Sequence, residues 1–218
     1  MTNNDISEIS ELAEKEAQCW EDSQYYDDAE KWNHVFWGDQ SLFLKLFMRL
    51  NLERTLELAC GHGRHSEIIF DRYSDQVNEL ILMDILQSNL DFCQNRIKNT
   101  KARFIKNDGA HFHDVPDDYC TAVFCYDAMV HFDESVVQSY IREAHRVLEA
   151  GGLALFHHSN YGEGRGSEFF KNPHARAYMT SELFNSFVSD SGLKLIEQHI
   201  INWGYDENLD AISLLMKA

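Results

Sequence analysis

A strand-like run that leads into closely spaced glycines is the segment of the chain best suited to chemistry. It reads Leu56-Glu57-Leu58-Ala59-Cys60-Gly61-His62-Gly63-Arg64-His65 and continues into a predicted helix. Small residues let the backbone turn sharply, and the free N–H groups at the start of a helix point outward toward a ligand. Gly61-x-Gly63 alone also fits an ordinary strand-to-helix turn. The segment therefore predicts a cofactor site only in combination with further residues.

Polar residues also end the next two apolar runs. Asp84 comes 21 residues after Gly63, beside Ile85, where a carboxylate can accept both hydroxyls of a ribose. Asn107-Asp108-Gly109 ends the third run, where the Asp108 carboxylate could accept the exocyclic amine of adenine. Ligands of parallel sheets bind outside the carboxyl ends of the strands. Three such strand ends together predict a nucleoside site.

The elements that must position these residues are short apolar runs separated by helical segments. Runs that are apolar on both faces are typical of parallel strands covered by helices on each side. A helix is predicted over 136–148, stopped by Gly151-Gly152, and another over 180–191. The last two runs have no helix between them and predict an antiparallel hairpin at one sheet edge. The seven predicted strands are 54–60, 79–85, 102–108, 121–127, 153–157, 194–201 and 211–216.

The first 50 residues contain no strand pattern and include a strongly apolar helix candidate over 41–50. We interpret 1–50 as a helical cap region on a core of residues 54–218, within one domain spanning 1–218. Most aromatic rings of the cap are expected to pack it onto the sheet. Tyr25 and Tyr26 lie in an acidic, loop-like stretch, and we expect these two to reach the cofactor instead.

This arrangement resembles the class I S-adenosylmethionine-dependent methyltransferase family from about Thr55 to the C-terminus. The resemblance implies an α/β fold: a Rossmann-like, doubly wound, mostly parallel seven-stranded sheet with an antiparallel terminal hairpin and helices on both faces. It also implies S-adenosyl-L-methionine as cofactor. The family's motif acid-x-Gly-x-Gly-x-Gly maps onto this sequence, and the cofactor-binding residues that it implies are Glu57, Ala59, Gly61, Gly63, Asp84, Ile85, Asp108, Gly109 and Tyr126, with Tyr25 from the cap.

The chain departs from the family motif at Ala59, where the first glycine usually stands. The added methyl group is small, and we expect it to be tolerated. The competing nicotinamide dinucleotide pattern, Gly-x-Gly-x-x-Gly, fails because Ser66 occupies the third glycine position. The antiparallel ending is also unlike that family.

Histidines near strands four and five are the candidate catalytic bases. The methyl group of a sulfonium is already activated, so alignment of the acceptor is the main task of the protein. A hydroxyl or ammonium acceptor must additionally lose a proton, and histidine titrates near neutral pH. We expect His131 and His158 in this role. Alternation along the strand decides whether His157 or His158 points inward.

Two pairs of histidines could suggest a metal site. These are His62-x-x-His65 and His111-Phe112-His113, the latter followed by Asp114. No third ligand stands at a suitable spacing for zinc, so solvated pairs are expected and no metal is predicted.

Composition excludes several classes of protein. The 218 residues carry a formal net charge of -17, which disfavours nucleic acid as a partner. No apolar run is long enough for a membrane span, no secretory signal is recognisable at the N-terminus, and the five scattered cysteines fit reduced thiols. A cytoplasmic location is therefore expected. No pattern specifies an oligomeric state.

The sequence predicts a methyltransferase for a small polar molecule such as a sugar, an amine or a natural-product intermediate, with oxygen or nitrogen as the acceptor atom. Methylation of a protein or RNA is the alternative enzymatic function. A non-catalytic protein that retains the fold and binds the cofactor is the alternative outside enzymes. Acceptor specificity is expected to reside in the cap region and in the 159–179 loop.

Overall fold

The computed structural model contains one seven-stranded sheet with the strand order β3-β2-β1-β4-β5-β7-β6. It describes residues 3–218, with side-chain surroundings from residue 7 onward. All neighbouring strands pair in parallel except β7, which is antiparallel to both β5 and β6. The predicted fold class is confirmed. The strands are β1 Arg54–Leu58, β2 Glu79–Asp84, β3 Ala102–Lys106, β4 Cys120–Cys125, β5 Leu148–Ser159, β6 Leu193–Trp203 and β7 Asp206–Lys217.

Helices cover both faces of this sheet because its central strands are apolar on both sides. Along β2, Leu80 and Leu82 join one buried cluster, whereas Ile81 and Met83 join the other. This alternation follows from the two-residue period of a strand. The helices are α1 Asn3–Ala17, α2 Tyr25–Glu30, α3 Asn33–Phe36, α4 Leu42–Phe47, α5 Arg64–Tyr73, α6 Gln87–Arg96, α7 Glu134–Val147 and α8 Ser181–Ser191.

Local sequence explains where several helices begin and end. The Ser41 hydroxyl accepts a hydrogen bond from the Leu44 N–H, and the Thr180 hydroxyl accepts one from the Leu183 N–H. Side-chain caps of this kind satisfy donors that have no partner within the helix. Gly192 ends α8 in the left-handed conformation, as predicted.

The junction of α7 and β5 differs from the sequence prediction. The helix ends at Val147, and the strand begins directly at Leu148, before the glycine pair. Leu148 pairs with Cys120, and the register shifts before Leu153 pairs with Ala122. Gly151 has φ +81. The two glycines, Gly151 and Gly152, therefore bend β5 at this irregularity and do not end the helix.

The N-terminal helices cover the carboxyl edge of the sheet. Ile9 and Ala13 of α1 are buried in the cluster that also contains α7 residues. A Cβ atom at Gly109, in the loop after β3, would clash with the Cβ of Ala13. The absence of a side chain at Gly109 therefore lets α1 approach the strand ends closely.

The five cysteines are free thiols, as the sequence predicts; four are buried, whereas Cys19 is exposed. Among residues 3–218, no helix is both long enough and apolar enough to cross a membrane.

Candidate functional site

A cavity lies between the carboxyl ends of the parallel strands and the N-terminal helices. Its space, including its mouth, is about 1020 Å³. The side formed by strand ends and their following loops includes residues 58–62, 84–86, Asn107, Gly109 and 126–128. The opposite side is formed by residues of α1 and α2 and by Trp20 between them. A concave site at the carboxyl ends of parallel strands is a typical position for a bound ligand.

The turn after β1 forms one wall of the cavity in an unusual backbone conformation. Ala59, Gly61 and Gly63 all have positive φ, at +55, +53 and +75. A Cβ at Gly61 would lie 2.8 Å from the ring of Tyr26, so only glycine fits beneath this cap residue. Gly63, predicted to bind the cofactor, does not line the cavity; it is the residue that immediately precedes α5.

Ala59 therefore adopts a conformation that disfavours any residue with a Cβ atom. We expect Ala59→Gly to raise the free energy of unfolding by about 1 kcal/mol, because glycine pays no steric cost in the left-handed region. Urea unfolding of the two proteins measures this difference. A lower stability for Ala59→Gly would show that the alanine methyl contributes more through packing than its backbone strain costs.

Asp84 ends β2 and holds the glycine turn in place. Its Oδ2 accepts a hydrogen bond from the Gly61 N–H at 2.9 Å, and its Oδ1 accepts one from the Leu86 N–H at 2.9 Å. The Asn89 amide also donates to Oδ1 and to the hydroxyl of Tyr26. Burial raises the pKa of Asp84, although these hydrogen bonds oppose the shift. Asp84 and Ile85 both line the cavity.

The loop after β3 places its residues differently from the sequence expectation. Asp108, expected to read adenine, does not line the cavity; its Oδ2 contacts Nδ1 of His111 at 2.9 Å and Nε2 of His113 at 2.8 Å. Asn107 lines the cavity instead. The Asn107 amide nitrogen donates to the hydroxyl of Tyr140, and its buried Oδ1 has no hydrogen-bond partner. Sequence reasoning missed Asn107, although it is the first polar residue after β3.

The segment after β4 places Tyr126, Asp127 and His131 against the cavity. Asp127 has φ +59, in the left-handed region. Its Oδ2 accepts hydrogen bonds from the hydroxyl of Tyr25 at 2.5 Å and from the guanidinium of Arg64 at 2.6 Å. Its buried Oδ1 has no partner. Asp127 thus links the cap to the turn after β1 while keeping one carboxylate oxygen available.

His131 is fixed in one tautomer by its surroundings. Its Nδ1 lies 2.7 Å from the carbonyl oxygen of Ala175, and a carbonyl only accepts, so Nδ1 carries the hydrogen. Burial, with the nearby positive charge of Arg176, lowers the pKa of His131 to about 4. The ring is therefore neutral at pH 7, and its buried, unpartnered Nε2 carries a lone pair.

His65 has the opposite tautomer. The indole N–H of Trp37 donates to His65 Nδ1 at 3.0 Å, so the hydrogen of the neutral ring is on Nε2. Burial, followed by the charge of Arg64, holds the pKa of His65 well below its usual range. His65 lines the cavity, and its Nε2 is buried without a partner. His65 and Arg64 follow the glycines directly in the sequence, but neither was predicted to be a site residue.

Two of the expected site residues lie elsewhere in the core. Glu57 is buried and does not line the cavity; its carboxylate accepts a hydrogen bond from Ser66, and burial raises its pKa to about 8. His158, an expected base, stacks on Phe184 at 3.6 Å between ring centroids, and its Nε2 lies 2.9 Å from the Ser213 hydroxyl. It does not line the cavity, and burial lowers its pKa to about 3. His157 points to the opposite face of β5, beside Tyr126.

The cap residues Tyr25 and Tyr26 both line the cavity, together with Trp20. The ring of Trp20 lies 4.6 Å from that of His131, and Tyr26 stacks on His62 at 4.2 Å between centroids. Glu16 of α1 also faces this space, and burial, followed by the charge of Asp133, raises its pKa to about 7. The cap thus presents aromatic faces and one weakly acidic carboxyl group to the cavity.

Comparisons with known proteins agree with this geometry. Residues 55–152 match the model of a methyltransferase domain. A search of curated protein sequences found no significant match.

Solved structures with a similar fold include three methyltransferases. One, in a complex with the Haloferax volcanii Trm112 methyltransferase activator, is 14% identical with a TM-score of 0.66, over 88% of this chain and 95% of that chain. An S-adenosylmethionine-dependent methyltransferase from Clostridium acetobutylicum is 14% identical, with a TM-score of 0.63. The match covers 89% of this chain and 99% of that chain. Geranyl diphosphate C-methyltransferase from Streptomyces coelicolor is 12% identical, with a TM-score of 0.64, over 80% of this chain and 77% of that chain. Its structure was solved with Mg²⁺, geranyl diphosphate and S-adenosyl-L-homocysteine.

The domain match covers the turn after β1, the strand ends that follow it and the start of β5, and the same fold recurs in these enzymes. Residues 55–152 thus match a methyltransferase domain, and the chain shares its fold with S-adenosylmethionine-dependent methyltransferases.

Proposed function

We propose that this chain is a methyltransferase that transfers the methyl group of S-adenosyl-L-methionine to a hydroxyl or amine of a small polar molecule. The observation that carries the proposal is a set of buried, unpartnered polar atoms on residues that line one capped cavity. Buried polar groups are normally hydrogen bonded, so these atoms are suited to a ligand. They are Asn107 Oδ1, Asp127 Oδ1, His65 Nε2 and His131 Nε2.

The residues around the glycine turn fit the cofactor. Asp84 would hold the ribose hydroxyls, and Asn107 Oδ1 would accept the adenine amine, since the Asp108 carboxylate is already occupied by His111 and His113. Arg64 and the free oxygen of Asp127 offer opposite charges for the carboxylate and ammonium of the methionine moiety. When bound, the cofactor supplies an electrophilic methyl group on a positively charged sulfur.

His131 is suited to orient the acceptor molecule. Its Nε2 lone pair can accept a hydrogen bond from an O–H or N–H group, while its Nδ1 is held by the Ala175 carbonyl. With a pKa of about 4, the imidazole is a weak base at neutral pH, so we assign it alignment of the nucleophile more than complete removal of its proton. Alignment of reactants is the principal contribution needed for an activated methyl group.

The cap favours a small acceptor over a macromolecule. Tyr25 of α2 is hydrogen bonded to Asp127, and α1 packs at Gly109, so the chain's own helices cover one side of the cavity. A small molecule fits this partly covered site better than a segment of protein or RNA. The net charge of -17 further disfavours RNA.

Calorimetry with S-adenosylhomocysteine tests the cofactor assignment. We expect Asp84→Asn to weaken binding by about 10-fold to 100-fold, because a hydrogen bond to a charged group contributes about 1.5–3 kcal/mol. Asp91→Asn, at an exposed carboxylate on neighbouring α6, is the matched control and should bind like wild type. Equal affinities for Asp84→Asn and Asp91→Asn would contradict the assigned role.

A transfer assay separates the possible functions. Radiolabelled S-adenosylmethionine is incubated with the enzyme and with cell extract divided into small molecules and macromolecules. Label in the small-molecule fraction, reduced in a His131→Phe variant, supports the proposal. Label confined to protein or RNA would overturn the acceptor class, and cofactor binding without transfer in either fraction would favour a non-catalytic protein.

A further inference from the structure

A second cluster of chemically active side chains lies outside the cavity, in the loop after β3. It consists of Asp108, His111 and His113, and none of the three lines the cavity. Each residue offers one ligand-type atom, and these three atoms lie within 4.8 Å of one another. The sequence spacing pairs only the two histidines, and Asp108 is the third group that the fold brings to them.

We propose that Asp108, His111 and His113 form a binding site for a divalent transition-metal ion of the zinc type. Two imidazoles and one carboxylate are a donor set that Zn²⁺ and its neighbours accept, with water completing the coordination. The site is independent of the proposed transfer reaction, since it shares no residue with the wall of the cavity.

The two distances from the Asp108 carboxylate to the imidazoles suit this role after a small expansion. Asp108 Oδ2 lies 2.9 Å from His111 Nδ1 and 2.8 Å from His113 Nε2. Tetrahedral zinc with bonds of about 2.0–2.1 Å separates its ligand atoms by about 3.3 Å, so each imidazole must withdraw by about 0.5 Å. The His113 side chain is 49% exposed and has room for this movement.

The rest of the loop holds the three side chains in position. Phe112, between the two histidines, is fully buried, and its N–H donates to the carboxylate of Glu143. The Phe112 carbonyl accepts a hydrogen bond from Arg146. The burial of Phe112 leaves its two neighbours at the same side of the loop, where both reach Asp108.

The carboxylate itself is oriented by backbone donors. Asp108 Oδ1 accepts hydrogen bonds from the N–H groups of Ala110 and His111, both at 2.9 Å. Hydrogen bonds of this kind hold a ligating carboxylate in position in metal sites. The carboxylate supplies negative charge to this donor set, which favours a cation.

Titration of metal-free protein with Zn²⁺ against a chromophoric chelator tests the site without any cofactor. We expect one equivalent to bind with micromolar or tighter affinity. His111→Ala and His113→Ala should each weaken binding at least 100-fold, since each removes a ligand. The Co²⁺ form of the wild type should show visible absorption bands that both variants lose.

His199→Ala is the matched control. His199 is a partly exposed histidine 3.0 Å from the carboxylate of Glu197, so it reproduces a histidine–carboxylate pair without a second imidazole. This variant should bind Zn²⁺ like wild type, and circular dichroism should confirm that all variants are folded. Absence of micromolar binding in wild type, or equal binding by wild type, His111→Ala and His113→Ala, would overturn the proposal. S-adenosylhomocysteine calorimetry on the same samples reports separately on the proposed function.

Discussion

Asp210→Ala is expected to lower the free energy of unfolding by about 3–5 kcal/mol, because it leaves a buried guanidinium without its charge partner. Asp210 is fully buried on β7 and accepts hydrogen bonds from Arg176 Nε at 2.8 Å and from Arg176 Nη2 at 2.6 Å. The Arg176 side chain is only 2% exposed, so water cannot replace the lost carboxylate. For a chain of this length, the loss corresponds to a fall in Tm of roughly 10 °C.

The same carboxylate also positions the cavity wall. His157 Nδ1 accepts the N–H of Asp127 at 3.1 Å, so its Nε2 carries the hydrogen and donates to Asp210 at 3.0 Å. Burial opposes ionisation of Asp210, but the hydrogen bonds from His157 and Arg176 outweigh it and hold its pKa well below the usual range. Asp210 therefore stabilises the fold at neutral pH, and this contribution is lost only as the pH falls below the carboxyl group's ordinary pKa.

Thermal and urea unfolding of matched variants check this prediction. Asp206→Ala is the control, since Asp206 is on the same strand and contacts His174 at 3.0 Å but is half exposed. We expect its effect to stay within about 0.5 kcal/mol. Adding Arg176→Met to Asp210→Ala should restore part of the stability, because the unpaired charge is removed. A loss below 1 kcal/mol for Asp210→Ala would show that water reaches Arg176.

The fold was predictable because its signals are local. Each signal involves residues that are close in sequence. Examples are the alternation of apolar residues along β2, the capping hydroxyl of Thr180 and the left-handed Gly192. The C-terminal end of α7 was less predictable because it depends on strand pairing. Leu148 belongs to β5 because it pairs with Cys120 of β4, which is 28 residues earlier in the chain.

The candidate site was predictable only as a set of strand ends. Asp84, Gly61 and Gly109 reach the cavity because topology brings the strand ends together. Which of two adjacent polar residues faces the cavity depends on partners distant in sequence: Tyr140 holds Asn107, while His111 and His113 hold Asp108. The positions of two further side chains likewise depend on distant partners: Arg64 is held by Asp127, and His65 by Trp37. No spacing rule in the sequence connects these pairs.

The cap and the core meet at Asp127, and we expect substitution of this residue to have a large effect on cofactor binding. Asp127 Oδ2 is shared by Tyr25 from α2 and by Arg64 from α5, while its buried Oδ1 has no hydrogen-bond partner. The hydroxyl of Tyr25 is a weak acid here, since burial and the charge of Asp127 raise its pKa above the usual range, so it donates at any physiological pH. One carboxylate thus joins the cap to α5, and it lies at the wall of the cavity.

Asp127→Ala is expected to weaken S-adenosylhomocysteine binding by about 100-fold, because charged hydrogen bonds contribute about 1.5–3 kcal/mol and the Arg64 charge also loses its partner. Tyr25→Phe removes only the neutral donor and should cost about 1 kcal/mol, or roughly fivefold. If the two residues act through one contact, adding Tyr25→Phe to Asp127→Ala should produce almost no further loss in calorimetry. Additive losses in the double variant would mean that Tyr25 contacts the ligand independently of Asp127. An affinity of Asp127→Ala within threefold of wild type would remove Asp127 from the binding site altogether.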